Sequence, residues 1–324
     1  VRLVKGADWD AESKRAQVEG IDGFPGFTAK QHTDISYISN ARTLMGLTVR
    51  IYPQCATHTA HPVAAVLDIA QQMGCGSDTF EFQRLHGMGE TLHTIVLQAE
   101  NTRCRIYAPV GAHEDLLAYL VRRLLENGAN SSFVNQIVDE DVPPQVVAAC
   151  PFDAIGQGPV LPTGPNIFQP ERANSKGWDL THKPTLETIA KGRAPYLDAS
   201  FVGHPLIASD SVYPRASLDN PNDVVNPAAS NDVVGRVQIA TKTNIDAALD
   251  EAQPWAAAVE TRAAALDAAA DAFEAHAAEL FAILTPEAGK ALPDAVAELR
   301  EAVDFLRYYA AQAHPDQAAR GIWT

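Results

Sequence analysis

The sequence lacks several features that mark common classes of protein. It has only four cysteines in 324 residues. No two of them form a C-x-x-C pair, which excludes a zinc ribbon, a redox dithiol and a disulfide-stapled scaffold. So few cysteines are typical of a reducing cytosol. No apolar run approaches the roughly 18 residues that a membrane-spanning helix needs. Lys and Arg number 25 against 40 Asp and Glu, and the net charge of −15 argues against a nucleic-acid platform.

The chain also has no initiator Met and no signal peptide. It opens on Val-Arg-Leu-Val-Lys at 1–5, a pattern typical of the interior of a strand. We interpret this opening as the sign of a piece excised from a longer protein. Its length and its 46% hydrophobic content suffice for about two domains with cores of their own.

Strands and helices alternate in the first third of the chain. Composition predicts strands at 1–5, 49–55, 79–85 and 105–110, and helical patterns follow at 9–17, 33–45, 61–72, 89–97 and 113–127. This order predicts parallel βαβ units. Polar residues cluster just after the strand ends, where parallel barrels build their sites. Four units make either a small open sheet or half of a barrel, and the pattern leaves both open.

The rest of the chain has a different texture. Residues 140–230 are rich in Gly and Pro and predict a connector with short elements, including a helix at 186–191. A strand is predicted at 233–239. Three helices should follow, at 244–252 with Thr243 as N-cap, from Thr261 to about Leu284, and at 293–311.

An arginine pair is the sharpest local feature. Arg122 and Arg123 lie in the amphipathic helix at 113–127, Tyr119 precedes them by three and four residues, and Glu126 follows Arg122 by four. Guanidinium groups suit bidentate carboxylate binding, and Glu126 could hold Arg122 in place. The alternative is a solvated charged edge with an ordinary ion pair, and spacing alone favours it.

Three other motifs are less specific. His58 and His61 are three residues apart, but no third ligand has suitable spacing, so no metal is predicted. The turn after the strand at 79–85 is glycine-rich but matches no phosphate-binding motif. Arg2 and Lys5 are three apart and should face opposite sides of their strand. Inside a barrel Arg2 could stabilise a reduced flavin, and otherwise the strand lies at the surface.

Several longer stretches together resemble the proline utilization A family of bifunctional proline-oxidising enzymes. They are VRLVKGADWD, YPQCATHTAH, FEFQRLHGMGE and CRIYAPVGAHEDLLAYLVRRLLENGANSSFV, then ANSKGWDL, VVNPAASNDVVGRV, TRAAALDAAADAFE, EAGK and EAVDFLRYYA. The resemblance covers essentially the whole chain but only part of the family protein. The first half of the barrel, and the dinucleotide fold, catalytic Cys and catalytic Glu of the second domain, have no counterpart here.

The resemblance implies an α/β fold class. Residues 1–138 would form the C-terminal half of a (βα)8 TIM-like, FAD-binding proline dehydrogenase barrel. Residues 139–222 would be an inter-domain connector. Residues 223–324 would be the N-terminal helical part of an aldehyde dehydrogenase domain that oxidises glutamate semialdehyde. Half a barrel leaves unpaired strand edges. We therefore expect the chain alone neither to retain FAD nor to oxidise proline.

The resemblance also implies roles for individual residues. Arg122 and Arg123 would grip the proline carboxylate, and the residues around the pyrrolidine ring would be Tyr107, Tyr119, Leu85 and Ala7. Arg2 would be the catalytic residue near the flavin N5. The residues that contact or support FAD would be Arg2, Lys5, Gly6, Ala7, Trp9, Thr28, Thr57, His58, Gln83 and Glu126. Asp8 and Thr59 depart from the family pattern, which usually has Tyr and Asn there.

The implied reaction is oxidation of L-proline to pyrroline-5-carboxylate, with FAD as cofactor and membrane quinone as electron acceptor. The second domain would then make L-glutamate with NAD, whose binding fold is missing here. The parent would be cytoplasmic, peripheral at the inner membrane and homo-oligomeric, with no nucleic-acid partner for this segment. The alternatives are a non-enzymatic assembly or scaffold fragment, and a flavin barrel acting on another amino acid.

Overall fold

The computed structural model describes residues 1–5, 9–128, 143–156, 160–206 and 221–313, without the side chains of 9, 10, 122–128 and 147. These residues form two compact units. Unit 1 comprises Val1–Lys14 and Phe24–Leu161, and unit 2 comprises Arg15–Gly23 and Pro162–Thr324.

Unit 1 is built around a parallel four-stranded sheet in the order β1-β2-β3-β4. Its strands are β1 (Arg2–Leu3), β2 (Gln54–Ala56), β3 (Glu81–Leu85) and β4 (Cys104–Tyr107). Its helices are α1 (Trp9–Val18, which continues into unit 2), α2 (Lys30–Met45), α3 (Ala60–Gln72), α4 (Glu90–Glu100), α5 (His113–Gly128) and α6 (Pro144–Val147). The alternation of strand and helix in the sequence is therefore confirmed, and the parallel order agrees with βαβ connections.

The predicted strand at 49–55 is wrong in its first half. Residues 46–50 form turns after α2, and Val49 is 98% exposed. The chain must reverse its direction between α2 and β2, so β-branched residues there occupy a turn despite their strand propensity. The other predicted strands in unit 1 are likewise shorter, and the strand predicted at 105–110 ends at Tyr107.

Among its described residues, unit 2 has a three-stranded sheet in the order β5-β7-β6 and, besides the end of α1, five α-helices. Its strands are β5 (Phe201–Gly203), β6 (Asn222–Asn226) and β7 (Ala229–Val237). Its helices are α7 (Lys183–Arg193), α8 (Lys242–Asp250), α9 (Val259–Ala275), α10 (Ala277–Glu287) and α11 (Leu292–Gln312). Buried side chains of α7, α9, α10 and α11 form its core, with Phe281 and Val303 almost fully buried.

Two helix predictions in unit 2 are wrong in detail. The N-cap of α8 is Thr241 rather than Thr243, because Thr241 and Asn244 form a reciprocal capping box. The Ala-rich stretch from Thr261 to Leu284 is not one helix but belongs to α9 and α10, which meet at His276. Alanine favours a helix at every position, so composition does not show where the helix axis changes.

Candidate active site

The sheet of unit 1 has one apolar face and one polar face. The strand register places Leu3, Cys55, Phe82 and Cys104 at one level. They face the helices and belong to the core of α2, α3 and α4. Side chains alternate along a strand, so the neighbouring positions point the other way. This opposite, polar face carries Arg2, Gln54, Ala56, Glu81, Gln83, Leu85, Arg105 and Tyr107.

The polar face is concave. Arg2 and Tyr107 lie on the two outer strands, which in a flat sheet would be about 14 Å apart. The guanidinium carbon of Arg2 nevertheless lies 5.5 Å from the centroid of the Tyr107 ring. The sheet must therefore curl toward its polar face, as in a segment of a barrel. The Tyr107 ring also lies 6.4 Å from the ring of Tyr119 on α5, centroid to centroid.

A three-residue polar ladder crosses this face. Arg105 donates to both oxygens of Glu81, from Nε to Oε1 at 2.5 Å and from Nη2 to Oε2 at 3.1 Å. Gln54 Nε2 donates to Glu81 Oε1 at 2.7 Å. Arg105 is the main cause that lowers the pKa of Glu81, burial opposes it, and Gln54 adds to the lowering. Glu81 is thus an ionised, fully partnered carboxylate on the polar face.

A second network lies where β1 and β2 end. Lys5 Nζ donates to Asp34 Oδ1 at 2.7 Å and to Thr59 Oγ1 at 2.9 Å. Thr59 in turn lies 3.1 Å from Thr57, oxygen to oxygen. Lys30 Nζ donates to the other oxygen of Asp34 at 2.6 Å. Burial raises the pKa of Asp34, but the two lysines outweigh it and hold that pKa below its ordinary value.

Two histidines connect the carboxyl ends of β2 and β3. The backbone N–H of Leu85 donates to His58 Nε2 at 3.0 Å, so that nitrogen carries no proton. His93 on α4 is buried and its Nε2 donates to the Thr57 carbonyl oxygen at 2.8 Å. Burial lowers the pKa of His93, the bond to Thr57 opposes this, and Arg84 lowers the pKa further. His93 is thus a neutral imidazole protonated on Nε2.

Gln83 provides a test of whether the polar face suits a flavin. Its side chain is 3% exposed, and its Oε1 has no hydrogen-bond partner among the residues that the structure describes. A buried acceptor without a donor costs free energy. The flavin ring system carries an N–H donor and several acceptors, so a flavin could supply the missing bond. The donors and acceptors present on this face therefore fit the group.

The structure brings together about half of the predicted site residues. Arg2, Leu85, Gln83 and Tyr107 share the polar face, and Tyr119 adjoins it. Lys5, Thr57 and His58 lie at its carboxyl edge, whereas Thr28 is half-buried in the segment before α2. Gly6 and Ala7, with the departing position Asp8, are outside the described residues, as are the side chains of Trp9, Arg122, Arg123 and Glu126. The backbone positions of the arginine pair are in α5, one turn after Tyr119.

The residues of these networks that were not predicted from the sequence include Asp34, Glu81, His93 and Arg105. Each has a partner distant in sequence, as between His93 and Thr57, which are 36 residues apart. Glu81 and Arg105 gave a signal, because a charged residue inside a predicted strand needs a partner when it is buried.

Two families of known enzymes match different parts of the chain. Residues 1–136 match the proline dehydrogenase family, and residues 214–322 match the aldehyde dehydrogenase family. The chain therefore carries segments of two oxidoreductase families in one polypeptide. Proline dehydrogenases are in general flavoproteins.

Proteins that combine both families are similar to this chain over nearly its whole length. The chain is 42% identical to the bifunctional protein PutA of Klebsiella aerogenes and 41% identical to that of Escherichia coli, in each case over 98% of this chain. It covers 25% of each relative, so it spans about a quarter of their length. The chain therefore resembles one segment of the bifunctional PutA proteins, in which the two families occur together.

Solved PutA structures have the same fold over this segment. A PutA variant from Bradyrhizobium japonicum superposes with a TM-score of 0.76 at 41% identity, covering 96% of this chain and 29% of that one. PutA from Bdellovibrio bacteriovorus inactivated by N-propargylglycine gives 0.81 at 31% identity, covering 97% and 32%. The half-barrel interpretation of the four strands agrees with these structures.

Among the described residues, no group of three or more His, Cys, Asp or Glu side chains is arranged to hold a metal ion. Within the same residues, every helix is too short or too polar to cross a membrane.

Proposed function

We propose that this chain contributes to the active site of an FAD-dependent enzyme that oxidises L-proline to pyrroline-5-carboxylate. The observation that carries the proposal is the cluster of Arg2, Tyr107 and Tyr119, which joins both edges of a curved sheet to α5. Residues 1–138 supply part of the proline dehydrogenase barrel, 139–222 the connector and 223–324 the start of the aldehyde dehydrogenase domain.

The substrate subsite is assigned to the polar face and α5. Arg122 and Arg123 bind the proline carboxylate, because two charge-assisted hydrogen bonds select a free carboxylate. The residues around the pyrrolidine ring are Tyr107, Tyr119, Leu85 and Ala7. The aromatic rings exclude water from the reacting carbon, and the contact with Arg2 limits the motion of Tyr107.

The cofactor subsite is assigned to the same face and its carboxyl edge. The residues proposed to hold FAD are Arg2, Lys5, Gly6, Ala7, Trp9, Thr28, Thr57, His58, Gln83 and Glu126. A bound flavin supplies the two-electron acceptor. Arg2, proposed as the catalytic residue, places a fixed positive charge where negative charge develops on reduction. Gln83 offers its buried oxygen to a cofactor N–H group.

The remaining assignments concern the whole protein. Quinone as electron acceptor, peripheral association with the inner membrane, a homo-oligomeric cytoplasmic enzyme and NAD-dependent formation of L-glutamate belong to the same proposal. They rest on the similarity to PutA proteins, of whose length the chain spans about a quarter.

A chimaera tests the proposal. The aligned segment of the Escherichia coli relative is replaced by these 324 residues, and proline-dependent dye reduction and flavin absorbance are measured. Arg122→Met should raise the KM for proline by about 10- to 100-fold, as expected for one charge-assisted contact. Arg103→Met is the matched control, because Arg103 is exposed and precedes β4 at the opposite end of the strand.

Three outcomes would contradict the proposal. A chimaera that folds but contains no flavin rejects the cofactor subsite. An unchanged KM in Arg122→Met rejects the carboxylate contact. Faster turnover of hydroxyproline or another amino acid than of proline assigns the barrel to a different substrate.

A further inference from the structure

The Lys5 ammonium is held at a defined place by two other elements. Lys5 follows β1, Asp34 lies on α2, and Thr59 follows β2. The two bonds, at 2.7 Å to Asp34 and 2.9 Å to Thr59, fix the ammonium where the first two strands end. The side chains of Lys5 and Asp34 are 20% and 8% exposed, so little solvent competes for either charge.

Asp34 is the centre of this arrangement. Its two oxygens hold two lysines, Lys5 on the protected side and Lys30, which is 51% exposed. A buried carboxylate with two cations stays ionised and has little freedom to turn. A long lysine side chain otherwise loses considerable rotamer entropy when a ligand orders it. With Asp34 in place, that ordering is complete before any ligand arrives.

We propose that Asp34 is a positioning residue, which presents a preorganised Lys5 cation to the cofactor at the carboxyl edge of the sheet. The assignment of the cofactor to this edge rests on the proposed function above. Asp34 does not touch the cofactor itself and acts through Lys5.

Amine labelling of the 324-residue chain tests the positioning without any cofactor. The chain is treated briefly with acetic anhydride, and the modification of Lys5 is compared by mass spectrometry with that of Lys183, whose side chain is 86% exposed. Asp34→Asn should raise the labelling of Lys5 several-fold, because the ammonium loses the charged hydrogen bond to Asp34. Lys30→Met is the matched control and should leave Lys5 protected.

Asp34→Glu guards against an unfolding artefact, since it keeps the charge and should keep Lys5 more protected than Asp34→Asn does. Cys55, which is fully buried, should stay unreactive to thiol reagents in every folded variant. Unchanged labelling of Lys5 in Asp34→Asn would overturn the proposal, because a residue that only stabilises α2 lowers the melting temperature without exposing Lys5.

Flavin affinity in the chimaera tests the link to the cofactor. Asp34→Asn and Lys5→Met should each weaken flavin binding by about ten-fold, the usual effect of losing one charged contact. The double variant should bind flavin no more weakly than Lys5→Met does, because Asp34 acts only through Lys5. If Asp34→Asn weakens flavin binding as much in the Lys5→Met chimaera as in the wild-type chimaera, the mechanism is refuted. A chimaera without flavin rejects the proposed function, while the labelling result still decides the positioning.

Discussion

His93 allows a quantitative prediction about the stability of unit 1. Its ring is 3% exposed, packs 5.8 Å from the Phe82 ring and donates to the Thr57 carbonyl oxygen. The other ring nitrogen, Nδ1, is buried and has no partner in the described part of the chain. Protonation would therefore place a second N–H group where nothing described accepts it, which agrees with the lowered pKa of His93.

The sign of the pH effect follows from that pKa. The ordinary pKa of 6.5 applies to the unfolded chain, and the folded value lies below it. Between the two, the unfolded state binds a proton that the folded state does not. The contribution of His93 is thus fully present above pH 6.5 and is lost as the pH falls toward the folded pKa, by at most about 1.4 kcal/mol per pH unit.

Two variants separate titration from hydrogen bonding. His93→Gln keeps a donor for the Thr57 carbonyl but cannot titrate, so its stability should change less than that of the wild type between pH 7 and pH 5. The stability of His93→Leu should likewise change little between pH 7 and pH 5. At pH 7 this variant should be less stable than the wild type by about 1–3 kcal/mol, because the buried Thr57 carbonyl loses its donor. His86→Gln removes an exposed imidazole from the neighbouring turn and serves as the control.

The assay must report on unit 1 alone, because a chain with two units need not unfold in one step. Hydrogen exchange of peptides covering β2 and β3, followed by mass spectrometry and corrected for intrinsic rates, gives the local opening free energy. If wild type and His93→Gln show the same dependence on pH, His93 does not titrate below its ordinary value and the reasoning is refuted.

Two further predictions concern unit 2. Arg307 donates hydrogen bonds to Asp271, Glu274 and the carbonyl oxygen of Asn174. Arg307→Met should therefore lower the stability of unit 2 by about 1.5–3 kcal/mol, measured by hydrogen exchange in α9 and α11. Arg236→Met breaks an exposed pair and should cost no more than about 1 kcal/mol, and equal losses would contradict the argument. Gly177→Ala would place a Cβ 1.8 Å from a backbone oxygen and should lower stability by about 1–3 kcal/mol in thermal unfolding. In the same assay Gly23→Ala should be neutral, because its Cβ meets nothing within 4 Å.

The sequence predicts the order of strands and helices well and their ends less well. Alternation of strand and helix patterns is a property of many residues together, so single exceptions do not obscure it. The ends depend on tertiary constraints, as where α2 must turn back and Val49 becomes exposed. The register of the sheet could not be predicted either, because it depends on how four short strands pack on their helices.

The sequence suggested candidate site residues by their type, but it did not show which partners hold them in place. Arg2 and Tyr107 were named from a resemblance, but their contact across the sheet follows only from its curvature. Glu81 and Arg105 are 24 residues apart, and Lys5 and Asp34 are 29 apart. No local pattern links such pairs, since each is brought together by neighbouring elements of the fold.

Glu81 and Gln83 are two buried polar side chains on the polar face, and their hydrogen bonding is consistent with the ligand binding proposed for this face. Both are buried and lie two residues apart on β3. Glu81, the more costly group to bury, has a partner for each oxygen, so this part of the face is stable without a ligand. Within the part of the chain that the structure describes, the side-chain oxygen of Gln83 has no partner, which costs about 1–3 kcal/mol. A ligand that donates a hydrogen bond to this oxygen recovers that free energy on binding, so Gln83 strengthens the complex.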